Sequence, residues 1–363
     1  MLMGQNKDIQ NKLSRIYHSY FECYLDAPVV LKSLTVQESG SVVLIFNEPP
    51  GSTQINQLKS AIEAAIFELD WVKELDIQLS IFNGQTLKRD HGLSNVQHII
   101  AVSSCKGGVG KSTMALNIAT ALQMNNASVG LFDADIHGPS LPTLLTPTAI
   151  ADTPDENRLP PFLNHHLKLM SYGYIQDQVN QPAILRGPIA SNMLKQMLLN
   201  TDWGYLDYLI IDCPPGTGDI LLTLTQELAL TTSVVITTPH ELSYVDVKKG
   251  IEMFNKVKVP TFGIVENMSY FTPPDSTEKY HIFGHGRLIP TAKECNIPHW
   301  FEVPITQDLA SYNNKTVPYL MSQPNEETKD MFLSLANKLA WYCVQHTHHV
   351  PCTLVHDNAT ENV

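Results

Sequence analysis

Apolar residues follow two different patterns along the chain, and the change between them divides it into two parts. From Asn11 to about Phe82, helical spacing of apolar residues alternates with β-branched runs, in the order helix, strand, strand, helix, strand. This pattern predicts a small α+β domain over residues 8–82. The polar stretch 83–95 shows no periodicity and is predicted to be a linker.

A different pattern begins at His98, where short, continuously apolar strands alternate with helices. The predicted strands are HIIAVSS, SVGLFDAD, LKLMSYGY, YLDYLIIDCP, SVVITTP, TFGIVEN and HWFEVP. Strands that are apolar along their whole length are buried on both faces, as in a parallel sheet covered by helices. Helices are predicted at residues 112–124, 190–200, 220–229, 246–256 and 327–345. The sequence therefore predicts a doubly wound, mostly parallel α/β domain over residues 96–345, followed by a flexible tail at residues 346–363.

The segment SSCKGGVGKST lies between the first of these strands and a predicted helix. Its glycines allow backbone N–H groups to converge on an anion, and the helix N-terminus adds its dipole. This is the pattern of a phosphate loop, in which Lys111 reaches the β- and γ-phosphates and Ser112 offers its hydroxyl to Mg2+. The predicted ATP-binding residues of the loop are Cys105, Lys106, Gly107, Gly108, Val109, Gly110, Lys111, Ser112 and Thr113.

Cys105 stands where the strict phosphate-loop pattern has glycine. If the backbone required a positive φ there, cysteine would cost on the order of 1 kcal/mol. The neighbouring Lys106 and the inward-facing amides predict a lowered pKa for the Cys105 thiol, and hence sensitivity to oxidation. The alternative is that a small residue is needed there for packing.

Carboxylates stand at the ends of two predicted strands. Asp212 ends one of them, where a carboxylate holds the hydration shell of Mg2+ and the following PPGTG turn senses the γ-phosphate. Asp133 and Asp135 end the other, and Asp135 is predicted to orient the attacking water; the alternative is a helix N-cap. Catalysis would then rest on positioning and charge stabilisation by Lys106, Lys111 and Asp135.

The loop KGGVGKS resembles that of the deviant phosphate-loop ATPases, the class of MinD, ParA and the nitrogenase iron protein. In that class the lysine matching Lys106 reaches across a nucleotide-sandwich dimer, which implies a homodimer here. The motifs DADIHGPSLP, LRGPIAS, DYLIIDCPPGTGD, VVITTPHELSYVDVKKG and GIVENMSYF are similar to the Mrp/ApbC family of iron-sulfur cluster carrier ATPases, over about Val96 to Lys338. The resemblance implies ATP hydrolysis, delivery of clusters to client apoproteins, and a position for Asn267 near the adenine.

The chain departs from that family where a cluster-binding C-x-x-C follows ENMS. The residues at that place are Thr272, Pro273, Pro274 and Asp275. Neither threonine nor proline replaces a thiolate ligand, so a [4Fe-4S] cluster is implied by the resemblance alone and its ligands are unknown. His281 and His285 are interpreted as exposed residues of a loop. A nucleotide-switched adaptor ATPase that carries no cluster is the alternative function.

Composition narrows the classes of partner. The chain has 24 Lys and Arg against 36 Asp and Glu, and this net charge of -12 disfavours a nucleic-acid partner and a ParA-like positioning function. No Lys or Arg follows Lys338, which disfavours the basic membrane helix of a MinD-like protein. The sequence also has no secretory signal pattern, no long apolar run and no C-x-x-C pair among its six cysteines. We therefore expect a cytoplasmic protein without a membrane partner.

The tail segment CVQHTHHVPC carries side chains that a metal accepts, in a spacing that matches no zinc-finger pattern.

Overall fold

The fold is taken from a computed structural model. It describes residues 2–18, 23–28, 30–82, 91–179, 187–216, 221, 224–225, 228–273, 276–312, 314–322 and 324–348. The chain divides into two compact units, one formed by residues 1–85 with 337–363 and the other by residues 86–336. Residues 337–345, which the sequence pattern places in the second domain, thus group with the first unit.

The first unit is a small α+β unit. Its elements are α1 (Leu2–Leu13), β1 (Tyr17–His18), β2 (Cys23–Tyr24), β3 (Leu31–Val36), β4 (Ser41–Glu48), α2 (Gln54–Ile66) and β5 (Glu74–Ile81). The central strand β4 pairs antiparallel with β3 and parallel with β5. Alternation along β4 buries Val42, Leu44 and Phe46 in a core with Trp341. The predicted elements are present, although the first helix begins at Leu2, before its predicted start at Asn11.

The second unit is built on one large sheet. Its described strands are β6 (Val96–Ser104), β7 (Val129–Asp133), β8 (Ala149–Ile150), β9 (Phe162–Asn164), β10 (Leu167–Ser171), β11 (Leu206–Asp212), β12 (Thr232–Thr237), β13 (Thr261–Phe271) and β14 (His299–Ile305). They follow the order β14-β13-β12-β6-β11-β7-β10-β9-β8. The first seven strands in that order are parallel, and they correspond to the seven predicted from their apolar runs. The short strands β8 and β9, which have no such run, add an antiparallel edge.

Helices connect these strands. The described ones are α3 (Lys111–Met124), α4 (Leu141–Leu144), α5 (Tyr172–Val179), α6 (Gly187–Asn200), α7 (Glu241–Lys256), α8 (Leu288–Glu294), α9 (Gln307–Ala310) and α10 (Glu326–His348), with α10 grouped with the first unit from Asn337 onward. Four of the predicted helices are confirmed as α3, α6, α7 and α10. Of the predicted helix 220–229, Leu221, Leu224 and Thr225 are described and helical, and most of the remainder lies outside the described residues. No helix of the described residues is both long and apolar enough to cross a membrane.

The topology of the sheet fixes where a ligand can bind. After β6 the chain forms strands that lie to one side of β6 in the strand order, namely β7, β10 and β11. It later forms β12, which pairs with β6 from the other side. Ligands of open α/β sheets bind at the carboxyl ends of the strands beside such a reversal. The glycine-rich loop follows β6 at this point, and Asp133 and Asp212, which end β7 and β11, are register partners there. The predicted doubly wound α/β fold is confirmed.

Candidate nucleotide-binding site

The backbone of the glycine-rich loop requires glycine at particular positions. Gly108 and Gly110 have left-handed φ angles of +78° and +81°. Gly110 directly precedes α3, and a Cβ added to it would lie 2.3 Å from Nδ2 of Asn267. Gly107 has neither restriction, because its φ is not positive and a Cβ there would meet nothing within 4 Å. The positive φ angle and the lack of space for a Cβ therefore both require glycine at position 110.

A cleft of about 290 Å³ opens over this loop. It is lined by Ser104, Lys106, Gly107, Gly108, Gly110, Lys111, Ser112, Thr113, Asp135, Ser140, Thr143, Leu144 and Pro215. The cleft thus brings Asp135 to the predicted phosphate loop. Ser140, Thr143 and Leu144 were not predicted as site residues, although they lie in and just after the motif DADIHGPSLP, which was interpreted for its aspartates alone.

Lys111 forms a buried ion pair at the base of the site. Its ammonium group donates to Oδ1 of Asp212, and the two side chains are 8% and 4% exposed. Burial raises the pKa of Asp212, while the charge of Lys111 acts in the opposite direction. The Lys111 Nζ also lies 3.4 Å from Oγ of Ser112. Asp212 itself does not line the cleft, and it is connected to the cleft by its contacts with the lining residues Lys111 and Ser112.

Asp133 holds the neighbouring segment in place. Its Oδ1 accepts a hydrogen bond from the backbone N–H of Asp135 at 3.1 Å. Its Oδ2 accepts bonds from the backbone N–H of Leu141 at 3.1 Å and from the hydroxyl of Ser171 at 3.0 Å. Burial and the negative charge of Asp212 raise the pKa of Asp133 to about 6. This buried carboxylate therefore positions both Asp135 and the first residue of α4.

Asp135 faces the cleft, and its Oδ1 accepts a bond from the backbone N–H of Gly138 at 3.1 Å. It closes a turn and is not a helix N-cap, because the N-cap position of α4 belongs to Ser140. Its predicted role in orienting water is compatible with this placement and stays a prediction.

Lys106 lies in the cleft lining and is tethered to α7. Its Nζ is 3.3 Å from Oδ2 of Asp246, and Nζ of Lys249 is 3.2 Å from the other carboxylate oxygen. The two lysines, Lys249 first, lower the pKa of Asp246. Because the Lys106 side chain is 40% exposed, this pair is screened by solvent and easily exchanged for another partner.

The thiol of Cys105 points to α7. Its Sγ lies 2.9 Å from the backbone oxygen of Asp246, and a Cβ added to Gly250 would lie 2.7 Å from it. Burial raises the pKa of the thiol and outweighs the opposing charge of Lys106, so the predicted lowered pKa of Cys105 is wrong. The φ of Cys105 is not positive, so cysteine brings no backbone strain. The contact with Gly250 supports the alternative of a packing role.

Asn267 supports the loop from β13. Its Nδ2 donates to the backbone oxygen of Val109 at 2.9 Å, and its Oδ1 accepts from the N–H of Met268 at 2.9 Å. Neither Asn267 nor Val109 lines the cleft, so their direct contact with the nucleotide stays a prediction.

The donor groups at the base of the cleft fit Mg2+. This cation prefers oxygen ligands and keeps several waters, and the Ser112 hydroxyl and Asp212 carboxylate both lie against the Lys111 ammonium. Within the described residues, no group of three or more His, Cys, Asp or Glu side chains is arranged to hold a metal ion.

The place of the family's C-x-x-C follows β13. Thr272 and Pro273 are described there, and Pro274 and Asp275 lie outside the described residues. The backbones of Phe271 and Tyr280 pair across this segment. His281 is half-buried and not exposed as expected, whereas His285 is exposed. The centroids of the two rings are 4.2 Å apart.

The cysteine-rich tail segment is described only in part. Cys343 is buried in α10, and Nδ1 of His346 lies 3.0 Å from the backbone oxygen of Tyr342. Cys352 lies outside the described residues.

Comparison with known proteins identifies the family. Residues 95–340 match the ParA family of proteins described as NUBPL iron-transfer P-loop NTPases. The chain is 37% identical over 361 residues to the chloroplastic Fe-S cluster assembly factor HCF101 of Arabidopsis thaliana, which covers 97% of this chain. The chain spans 66% of the length of that relative. It is also 42% identical over 288 residues to the iron-sulfur cluster carrier protein of Escherichia coli (strain K12), covering 78% of each chain.

A solved structure agrees with this assignment. The nucleotide-binding protein of Archaeoglobus fulgidus, solved in complex with ADP, has a TM-score of 0.53 and 33% identity, covering 64% of this chain and 94% of that one. The resemblance predicted from the motifs is confirmed: the chain belongs to the NUBPL iron-transfer family of P-loop NTPases.

Proposed function

We propose that this chain hydrolyses ATP as a homodimer and carries iron-sulfur clusters to client apoproteins. The observation that supports hydrolysis most directly is the meeting of Lys106, Lys111 and Asp135 around one cleft. Two cations from a single loop suit the oxygens of a triphosphate, and a carboxylate in the lining of the same cleft suits an attacking water.

Each charged residue has a role in this proposal. Lys111 exchanges Asp212 for the β- and γ-phosphates, so its charge is paired before and after nucleotide binds. The Asp135 carboxylate, fixed through Asp133, accepts a hydrogen bond from the water and orients it. Ser112 and Asp212 would hold Mg2+, which when bound neutralises charge on the phosphates. These groups stabilise the transition state because they are placed before reaction begins.

A homodimer accounts for the position of Lys106. The side chain lies at the surface, and its pair with Asp246 is solvent-screened, so little is lost when it leaves that partner. Family resemblance implies that it then reaches the nucleotide of the second subunit. Nucleotide binding would thereby change the contact between subunits and, with it, the affinity for cargo.

The assignment of the cargo is less direct than that of ATP hydrolysis. It is supported by the names of relatives, such as the iron-sulfur cluster carrier protein of Escherichia coli. Thr272 and Pro273 stand where thiolates hold a cluster in the family, so this chain does not hold one in the family's manner. That observation favours a second candidate, an adaptor ATPase that changes partner affinity with nucleotide and carries no cluster.

Hydrolysis is tested with three variants. Lys106→Ala and Asp135→Asn should each lower ATP turnover by at least about 100-fold while Mg-ATP binding changes little. Lys249→Ala is the matched control, because Lys249 pairs with the same carboxylate but does not line the cleft. Unchanged turnover in both active-site variants would overturn the proposed mechanism.

Cargo is tested by anaerobic reconstitution with iron and sulfide, with and without Mg-ATP. A stoichiometric cluster that passes to an apo-ferredoxin supports the carrier. A protein that hydrolyses ATP and takes up neither iron nor sulfide supports the adaptor instead.

A further inference from the structure

The segment after β13 folds back on itself in two steps. The backbones of Phe271 and Tyr280 exchange hydrogen bonds at 2.9 and 2.8 Å, which closes the loop between them. A tight turn follows, in which the N–H of Gly284 donates to the carbonyl of His281 at 3.0 Å and Gly284 has a φ of +90°. The turn returns the chain and brings His285 against His281.

The ring of His281 is oriented by the backbone. Its Nδ1 lies 3.2 Å from the carbonyl oxygen of Ser269. Because a carbonyl oxygen only accepts, Nδ1 carries a proton, and in the neutral ring Nε2 then presents its lone pair. Histidines that bind metals are held in this way in most proteins, with the second ring nitrogen donating to a carbonyl or carboxylate. Within the described part of the chain, Nε2 of His281 has no hydrogen-bond partner.

The second ring is within reach of the same ion. The centroids of His281 and His285 are 4.2 Å apart, with 40° between the ring planes. Two imidazoles bound to one ion at about 2.1 Å have centroids roughly 5 Å apart, so the two rings are already near the separation that a shared ion requires. His285 is exposed, and its ring can rotate without disturbing a core.

From this geometry we infer that His281 and His285 form a two-imidazole site for iron, taken up as Fe2+ or as the iron of a cluster. Imidazole is a ligand for divalent first-row metals, and two histidines bind one iron of certain [2Fe-2S] centres. Two protein ligands leave the other coordination positions to water, sulfide or a receiving protein. Such an incomplete set suits a metal that is handed on and not retained.

The position of His281 and His285 in the fold links the proposed metal site to cluster transport. The role of this site in holding cargo rests on the proposed carrier function. The histidines stand at the base of the loop closed by Phe271 and Tyr280, and the family's thiolates belong on that loop. The imidazoles would therefore present iron at the same end of β13, in a chain that lacks the thiolates. The ammonium of Lys279, 3.7 Å from the centre of the Tyr270 ring, is held over that ring.

The test is direct metal binding by the full chain without nucleotide. Fe2+ binding is measured anaerobically by calorimetry, and iron and acid-labile sulfide are measured after reconstitution with Fe2+ and sulfide. We expect His281→Ala, His285→Ala and the double variant to lose about one equivalent of iron per chain relative to the unsubstituted protein. Sulfide bound together with that iron identifies a cluster, and its absence identifies the ion.

A matched control is available in the same unit. His165 and His166 are likewise two neighbouring histidines, both exposed, in a turn with φ angles of +44° and +68° that asparagine tolerates. His165→Asn with His166→Asn should leave iron binding unchanged. Equal iron content in the unsubstituted protein and the His281, His285 double variant would overturn the inference, as would an equal loss in the control. ATP turnover is measured in parallel, and its failure in the unsubstituted protein would count against the proposed ATPase and leave the metal site standing.

Discussion

Lys111 and Asp212 form an ion pair in which both side chains are almost fully buried, at the base of the cleft over the glycine-rich loop. Lys111 is the first residue of α3, and Asp212 is the last residue of β11. The pair satisfies each charge in a site where neither would be stable alone. Lys111 is also the residue that the proposed function assigns to the phosphates. The same side chain therefore contributes to the stability of the fold and to nucleotide binding.

Lys111→Ala should therefore have two effects. Mg-ATP affinity should fall by at least about 100-fold, because the cation that reaches the phosphates is gone. The free energy of unfolding should fall by about 3–5 kcal/mol, because the Asp212 carboxylate is left buried without a partner. The measurements are calorimetric ATP binding and urea unfolding.

The variant with both Lys111→Ala and Asp212→Ala separates these effects. It should regain much of the lost stability, since no buried charge remains, and it should still fail to bind Mg-ATP. Unchanged ATP affinity in either variant would refute the assignment of Lys111.

Asp246→Asn tests whether the pair with Asp246 restrains Lys106. Removing the carboxylate charge frees the ammonium for a phosphate, and because the exposed pair is weak, ATP turnover should rise by about fivefold at most at low ionic strength while Mg-ATP affinity changes little. Salt screens the pair in the unsubstituted protein, so its turnover should approach that of the variant between about 0.05 M and about 0.5 M NaCl. A turnover that falls in the variant at every salt concentration would show that Asp246 supports catalysis.

Gly110→Ala should disable the loop, because alanine is strained at a φ of +81° and its Cβ would lie 2.3 Å from the Asn267 amide. We expect a lower unfolding temperature and loss of detectable Mg-ATP binding. Gly107→Ala is the control for folding, since that position has space and an ordinary φ. Equal unfolding temperatures for the two variants would contradict the strain argument.

Sequence patterns predicted those parts of the site that are determined by residues close to one another along the chain. The loop around Lys111 and the strand-end aspartates Asp135 and Asp212 carry their signal locally, in a strand, a run of glycines and a helix start. The contribution of Ser140 and Thr143 was missed, because α4 is held by a hydrogen bond from Leu141 to the buried carboxylate of Asp133, and the local pattern does not indicate this contact.

Burial and long-range closure explain the other differences. The raised pKa of Cys105 depends on its packing against α7, which the loop sequence does not reveal. The approach of His281 and His285 depends on the backbone bridge between Phe271 and Tyr280 and on the turn at Gly284. Spacing alone places these histidines on a loop without indicating that the rings meet.

Glu48, in the first unit, predicts a pH dependence of stability that is independent of the nucleotide site. Burial raises the pKa of Glu48 to about 7, against hydrogen bonds from the backbone N–H of Ile55 and the hydroxyl of Ser52 to its Oε1, both at 3.0 Å. In the unfolded chain the same group has its ordinary pKa of 4.5. Between these values the folded state binds a proton that the unfolded state does not, so stability is greatest below the unfolded pKa and falls as pH rises to about 7. The fall is roughly 3 kcal/mol at most for a shift of this size.

Glu48→Gln should remove this slope. The amide oxygen can replace Oε1 and keep both hydrogen bonds, and no charge has to be buried at high pH. The variant should match the unsubstituted protein at about pH 5 and be more stable than it at about pH 8, as measured by urea unfolding followed through Trp341 and Trp71, which contact the core of this unit. Asp133, whose pKa is also raised, is unchanged in both proteins, so its contribution cancels in the difference. A stability difference that is the same at both pH values would show that the Glu48 carboxylate is not the group responsible.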